Sequence, residues 1–463
     1  MTGKAQNSQE PKNPSQTGRS VWIKHGLLNT VEQAITRVAD GLTTLFLIWF
    51  LSPEVFSKLA MAQAVVAPLL LFFLAPETVL YRDFSVWKDA GVTVLAARLR
   101  AFRVFGYLKG AFALLVSLGV GFFLSGQSYF EWVFSLIWAF SLALAPQVSG
   151  ADREFLRLSL KLETLSLLSL YQKTVLFIGT AATLKIQGDA PVVVQLAGLA
   201  GVGLFSALSS AFLARNQAIA FLGSQQVSED RHTKPYHLSM RETLFETLKD
   251  FSIWQHLQGV ALNWVQTMDL FTLGLFHFPA RQVGLYASVL KLVNFSNFAP
   301  LALTNAFGLW LGRKTPAKNQ ELPRVKKLTL ILALTNGVQG LVFWLLSGKL
   351  VQLLSHGRWS DVEQLEMLRW FNWILLGNMI LTSTFLVTHW ILVRSSARQT
   401  FLRSYLPWTA LSFLFYGSAA YLSAGTHDPL WVAKMNGAVS TVFCILLIFI
   451  YRRVRALASV GDR

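Results

Sequence analysis

Along this chain, apolar residues gather in blocks of about twenty, separated by short polar breaks. They do not alternate with the period of two that a lipid-facing strand requires, so an outer-membrane barrel is not expected. A helix needs ~20 apolar residues to cross the hydrocarbon core. On that measure the pattern predicts twelve spans: Asn29 to Leu51, Lys58 to Leu80, Ala101 to Leu124, Tyr129 to Val148, Thr164 to Leu184, Pro191 to Leu213, Phe251 to Phe278, Val283 to Leu311, Leu328 to Leu346, Met367 to Val393, Ser404 to Ser423 and Leu430 to Tyr451. The fold class expected is an all-α polytopic membrane protein.

Two of the breaks resemble each other. The turn after span one reads LFLIWFLSPEVFSKLAMA, and the turn after span seven reads LFTLGLFHFPARQVGLYAS. Each has a Leu- and Phe-rich helix end, a proline (Pro53, Pro279), and then an apolar residue followed by a small one: Phe56 and Ser57, Val283 and Gly284. Six spans separate them, which predicts two six-helix halves in parallel orientation. The expected organisation is a disordered cytoplasmic tail over 1–22, an N-terminal bundle over 23–214, a cytoplasmic linker over 215–250 and a C-terminal bundle over 251–463. The tail is polar and lacks the apolar core of a signal peptide. Within the linker, Ser239 and Glu242 have capping-box spacing, and Leu244, Phe245, Leu248 and Phe251 recur at helical intervals, which predicts an amphipathic helix on the inner membrane surface.

Composition agrees with a lipid solvent: 53% of the 463 residues are hydrophobic and 14% are charged. Charge sets the orientation. With the N-terminus inside, about thirty of the 41 Lys and Arg residues fall in cytoplasmic segments, and Lys58, Lys185, Arg281, Lys349, Arg358, Arg369 and Lys434 lie at the outer side. Both termini are therefore expected in the cytoplasm. The same asymmetry absorbs most of the +17 net charge, leaving little reason to expect a nucleic-acid partner.

Enzyme chemistry finds little purchase. There is no GxxxxGK[ST] phosphate loop, no HExxH pair among the eight histidines, and one cysteine, Cys444, so no metal site, cofactor or internal disulfide is expected. A membrane glycosyltransferase or ligase would need a substantial outer catalytic loop. The longest here, Ser347 to Glu366, is short, although it holds His356, Arg358 and Asp361.

The informative residues are the charges inside the spans: Arg37, Lys109, Lys173 and Lys291, with Glu32, Asp40, Glu77 and Asp269. A charge at the centre of a lipid-facing helix costs ~2.5 to 3.5 kcal/mol even on lenient insertion scales. Glu32, Glu77 and Lys109 are near enough to the inner interface to snorkel. The deeper ones call for a wet or protein-lined setting. At ~100° per residue, Thr30, Gln33, Arg37, Asp40 and Thr44 share a face of span one. Gln255, Gln258, Gln266, Asp269 and Thr272 share one on span seven, and Ser288, Lys291, Asn294 and Asn305 share one on span eight. Three polar stripes predict a cavity between the halves. Arg37 could grip a phosphate through its planar fork, with Lys173 and Lys291 as point charges and Gln266 and Asn294 beside them. Internal pairing, Arg37 with Asp40 or Asp269 with Lys291, is the competing reading. Asp40 and Asp269 could bind H+ or Na+ and couple it to conformational change.

The segments EVFSKLAMA and RQVGLYASVLKL after spans one and seven, APETVLYRDFS at the inner end of span two, and LLSHGRWSDVEQLEMLRWFNWILL leading into span ten together resemble the Wzx-type polysaccharide flippases of the multidrug/oligosaccharidyl-lipid/polysaccharide (MOP) export superfamily. Ser57 and Leu59 depart from the pattern, standing where the first turn usually shows Gly and an aromatic. The resemblance implies two bundles around a central cavity in a bacterial inner membrane. It also implies alternating access and a polyprenyl-pyrophosphate oligosaccharide as substrate. Membrane lipids and polysaccharide polymerase machinery would be further partners. A multidrug cation antiporter and a lipid II flippase are the alternatives within the superfamily.

Overall fold

The computed structural model describes residues 35–36, 38–69, 80, 84, 87–124, 129–159, 161–188, 190–229, 241–242, 253–297, 300, 303–304, 318–388 and 397–460. Each of the twelve expected spans meets a helix. We label these α1 (Val38–Phe50), α2 (Pro53–Leu69), α3 (Val92–Leu124), α4 (Tyr129–Leu158), α5 (Leu162–Ile186) and α6 (Val192–Glu229) in the first half. The second half holds α7a (Ile253–Val265), α7b (Met268–Leu275), α8 (Ala280–Phe295), α9 (Lys318–Ser355), α10 (Asp361–Ser383), α11 (Leu406–Ser423) and α12 (Leu430–Val460). Among the described residues, five helices are long and apolar enough by themselves to cross a membrane.

Local chemistry explains the boundaries. Pro53 opens α2 and Pro279 caps α8, positions where the missing N–H goes unmissed. Ser360 and Glu363 form a reciprocal capping box at the start of α10. Span seven is split: Thr267 leaves helical geometry at φ −122°, ψ 1°, and its hydroxyl turns back to Trp264 O at 3.1 Å. A π-helical turn, Phe401–Tyr405, leads into α11.

Several helices run well past the apolar blocks that announced them. α3 starts at Val92 instead of Ala101, α4 continues to Leu158, α6 to Glu229, and α9 begins at Lys318. A second core on that side accounts for the first three, since Leu95, Leu99, Phe102, Phe155, Ala214, Ala218 and Leu222 pack together there. Polar ties reinforce it. Arg103 donates to the buried Asp152 at 2.6 and 2.8 Å, joining α3 to α4. Arg153 donates to Gln172 (2.8 Å) and Ser210 (2.5 Å), linking α4, α5 and α6. Ser239, Leu244, Phe245, Leu248 and Phe251 lie outside the described residues.

Packing follows the two halves. α3, α4, α5 and α6 pack on one another, as do α9, α10, α11 and α12, and α2 crosses between the halves to lie along α8. The main core runs through that crossing, with Leu59, Tyr286, Val289, Val293, Trp370 and Phe371 all buried. Away from the partners, α9 leaves Leu330, Leu334, Val338, Leu341 and Leu345 exposed at helical spacing, the stripe a lipid-facing helix needs.

Candidate functional site

The halves meet tightly at one end. A Cβ on Gly284 would fall on the Pro53 carbonyl, so glycine lets the start of α8 lie against the α1–α2 turn. Around that contact the basic side chains reach between the halves. Arg281 of α8 donates to Glu363 at 2.7 Å and to Glu54 of α2 at 3.3 Å. Arg358 donates to the carbonyls of Trp49 and Leu51, and the Trp49 indole donates to Leu353 O at 2.9 Å. The hydrogen bond from Arg281 holds the Glu363 carboxyl below its usual range, with the cap from Ser360 adding to it against a smaller opposing push from burial. Burial pushes Glu54 up, but its own backbone amide, Ser52 and Arg281 outweigh that and leave it lowered.

Below this seal lies a cavity of about 770 Å³ between the halves. Asp40, Gln63, Trp138 and Lys173 line it from the first half, and Asn263, Gln266, Lys291, Asn294 and Asn297 from the second. Thr304 and Thr388 extend it away from the sealed end. Lys173 donates to Asp40 at 2.6 Å, and Lys291 donates to the side-chain carbonyl of Gln63. Of the expected substrate residues, Lys173, Lys291, Asn294 and Gln266 are thus brought together, with Asp40 among them. Arg37 lies outside the described residues.

Of the two pairings expected, Asp269 does not reach Lys291; Asp40 is held by Lys173, and Arg37, the partner expected for it, lies outside the described residues. Asp269 sits within the second half, 1% exposed, accepting from Tyr286 Oη at 2.9 Å and from Leu270 N at 2.8 Å. Asn436 donates on to Tyr286 at 3.3 Å. The break at Gln266 and Thr267 explains why Gln266 and Asp269 do not share a face. Ser288 also turns away, donating to Gly284 O at 2.8 Å.

Two further spaces open off the cavity. An apolar groove of about 190 Å³ lies between α1 and the α8–α9 pair, lined by Val38, Leu42, Ile48, Phe343 and Leu353, and it shares Gly41, Thr44, Lys291 and Phe295 with the main cavity. Val38, Leu42 and Leu353 are themselves exposed, so the groove reaches the lipid-facing surface. A Cβ at Gly41 would meet the Phe295 ring at 2.8 Å, which makes this crossing of α1 and α8 a close one. On the other side, a recess of about 30 Å³ lies behind Gln266 and Asn294, lined with Asn378, Tyr416, Asn436 and Ser440.

Gln63, Trp138, Asn263 and Asn297 were not anticipated. A lone glutamine in the apolar run AMAQAVVAP was a readable signal for Gln63. Trp138 is 1% exposed and its indole N–H has no partner among the described residues, an orphan donor at the cavity wall that composition alone does not reveal.

No protein-family model and no curated protein sequence matches the chain. Solved structures do. It is similar to an inward-facing multidrug resistance MATE family transporter of the MOP superfamily, at 12% identity and a TM-score of 0.62, over 92% of this chain and 96% of that one. A MOP superfamily transporter from Pyrococcus furiosus Vc1 (DSM3638), whose reversed binding-pocket polarity suggests a different function for it, gives the same identity and TM-score over 94% and 96%. The Vibrio cholerae MATE transporter VcmN gives 14% and 0.59 over 95% and 99%. The fold is therefore the two-lobe, twelve-helix membrane fold of MOP superfamily transporters.

Proposed function

We propose that this protein is a flippase for lipid-linked oligosaccharides of the polyprenyl-pyrophosphate type, moving them from the inner to the outer leaflet of a bacterial cytoplasmic membrane. The observation that carries this reading is the junction at Lys291. There a cavity whose described lining has two cations to one carboxylate meets an apolar groove open to lipid. An amphiphile with an anionic head matches both: the phosphate meets Lys291 and Lys173, while the prenyl chain stays in hydrocarbon. A glycan cannot cross that hydrocarbon unaided, so a wet cavity is what the cargo requires.

A cation-exporting pump would want an excess of carboxylate in the cavity, and the described lining has the reverse. The Pyrococcus protein described as having reversed pocket polarity is a precedent for divergence within one fold. Alternating access is part of this reading: with the Arg281 seal assigned to the outer side, the arrangement would correspond to loading from inside. Arg37 adds an anion grip in this reading, and Asp269 with Tyr286 is the candidate for H+ or Na+ coupling. Both termini and the linker over 215–250 are assigned to the cytoplasm, with the polymerase machinery taking the cargo outside.

The test is translocation of a labelled polyprenyl-pyrophosphate oligosaccharide in proteoliposomes, comparing wild type with Lys291→Ala and Arg37→Ala. Wild type moves the lipid and both folded variants fail. A wild type that moves none and expels cationic drugs instead would overturn the reading.

A further inference from the structure

We infer that Gln266 and Asn294 form an uncharged subsite that recognises the sugar next to the phosphate, so that this protein selects neutral glycans. The inference rests on the flippase reading and adds to it which part of the cargo is read, and by what.

The first-half wall of the cavity holds an ion pair, Lys173 with Asp40. The second-half wall, beyond Lys291, presents carboxamides. Gln266 stands where span seven breaks, and Asn294 is the penultimate residue of α8, so both lie at ends of helical segments. Among the described residues no side chain hydrogen-bonds to either amide, although Gln266 is exposed to the cavity. Their neighbours are engaged: Asn263 donates to Gly259 O at 2.8 Å, and Asn378 donates to Asn297 at 2.6 Å. Two unengaged amides thus stand together in a wall whose other amides hold the helices.

An amide offers two donors and an acceptor on one plane, which matches adjacent hydroxyls, each both donor and acceptor, better than it matches an anion. Position agrees. Asn294 is one helical turn from Lys291, about 5 to 6 Å along the same face. A sugar ring joined to a phosphate held at Lys291 spans roughly that distance. Behind the two amides, the recess of about 30 Å³ is large enough to hold a water-sized group. It is lined by Asn378, Tyr416 and Asn436 and has room for a small exocyclic group such as a hydroxymethyl. No described cation lines this wall beyond Lys291, so a carboxylated sugar would be left without a counter-charge there.

The experiment measures binding to the full-length protein in nanodiscs of three probes: undecaprenyl pyrophosphate without sugar, the same lipid bearing a neutral hexose disaccharide, and the same lipid with a hexuronic acid as its first sugar. Wild type should prefer the neutral glycan over the bare lipid by about tenfold, the scale of one or two net hydrogen bonds. It should not prefer the uronic acid. Gln266→Leu and Asn294→Leu should each erase most of that preference, read as the ratio of the neutral glycan's affinity to the bare lipid's. Should Asn294→Leu not fold, Gln266→Leu, at a cavity-exposed position, decides alone. Equal weakening of all three probes would make the amides structural, and an unchanged preference would place recognition elsewhere; either overturns the inference with the flippase reading intact. A wild type that binds none of the three overturns both.

Discussion

The two ends of the interface between the halves use charge differently. At the seal, Arg281 and Arg358 are committed to partners across the seam, and Gly284 lets backbone touch backbone beneath them. In the cavity, Lys173 is held within its own half by Asp40, and Lys291 by a neutral glutamine on α2. A glutamine oxygen is a weaker partner for an ammonium than a carboxylate or a phosphate, because charge-assisted bonds are about twice as strong as neutral ones. The seal's cations hold protein to protein, whereas Lys291 has a partner that an incoming anion can displace.

Removing Lys291 should therefore have the largest effect. Hydrogen bonds to charged groups contribute ~1.5 to 3 kcal/mol, so Lys291→Ala is expected to weaken binding of a polyprenyl pyrophosphate roughly 10- to 100-fold. The melting temperature should hold, since Gln63 can turn to water in the cavity. Affinity and thermal unfolding measured on the same preparation check both halves of the statement; unchanged affinity would make Lys291 a structural lysine.

Gly284→Leu attacks the other end. Overpacking costs about 1 to 3 kcal/mol, and here that strain falls on the closed seam. A cysteine placed at Ser57 in a Cys444→Ala background should then react with a membrane-impermeant maleimide about tenfold faster than it does beside Gly284. Equal rates would mean that the seam opens without separating these two turns.

These residues differ in how legible they are in the sequence. Lys291 and Gly284 were readable because each breaks a rule of its surroundings, a charge in an apolar block and a small residue at a repeated turn. The twelve spans were readable for the same reason, since hydropathy follows directly from the need to satisfy lipid. The extended ends of α3, α4 and α6 were not, because their apolar faces are too narrow to register as spans and acquire meaning only when Leu99, Phe155 and Ala218 meet. Asp269 was misplaced relative to Gln266 because a uniform helical wheel runs through the break at Thr267. Its partner Tyr286 lies on another helix, a pairing that no periodicity within span seven encodes.

A smaller effect sharpens the contrast within the cavity. Asp40→Asn leaves Lys173 without its carboxylate and raises the positive charge of the wall. A partly exposed pair of this kind contributes ~0.2 to 1 kcal/mol, so binding of the bare pyrophosphate lipid should tighten by about two- to fivefold. Weaker binding would instead assign Asp40 a direct part in holding cargo or a coupling cation.

The smallest effect concerns acid and the seal. Glu363 and Glu54 both have carboxyls held below the ordinary value of 4.5 when the seam is closed, Glu363 chiefly by Arg281. A depressed carboxylate stabilises the state that depresses it at pH above its ordinary value, and that stabilisation is lost as pH falls through the lowered one. The closed seam should thus be insensitive to pH between about 5 and 8 and loosen only below about 4. Spin labels on either side of the seam, read as a distance distribution in nanodiscs, would follow it. Arg281 is half exposed, so its pairs are worth at most ~1 kcal/mol after solvent screening. Arg281→Gln should accordingly raise the open fraction at pH 7 by no more than about fivefold. It should also remove most of the acid response, because Glu363 then titrates alike in both states and only the part of Glu54 set by Ser52 and its own backbone remains. If acid still opens the variant's seam as strongly as wild type's, the carboxylates at the seal are not what acid acts on, and the response belongs to groups below it.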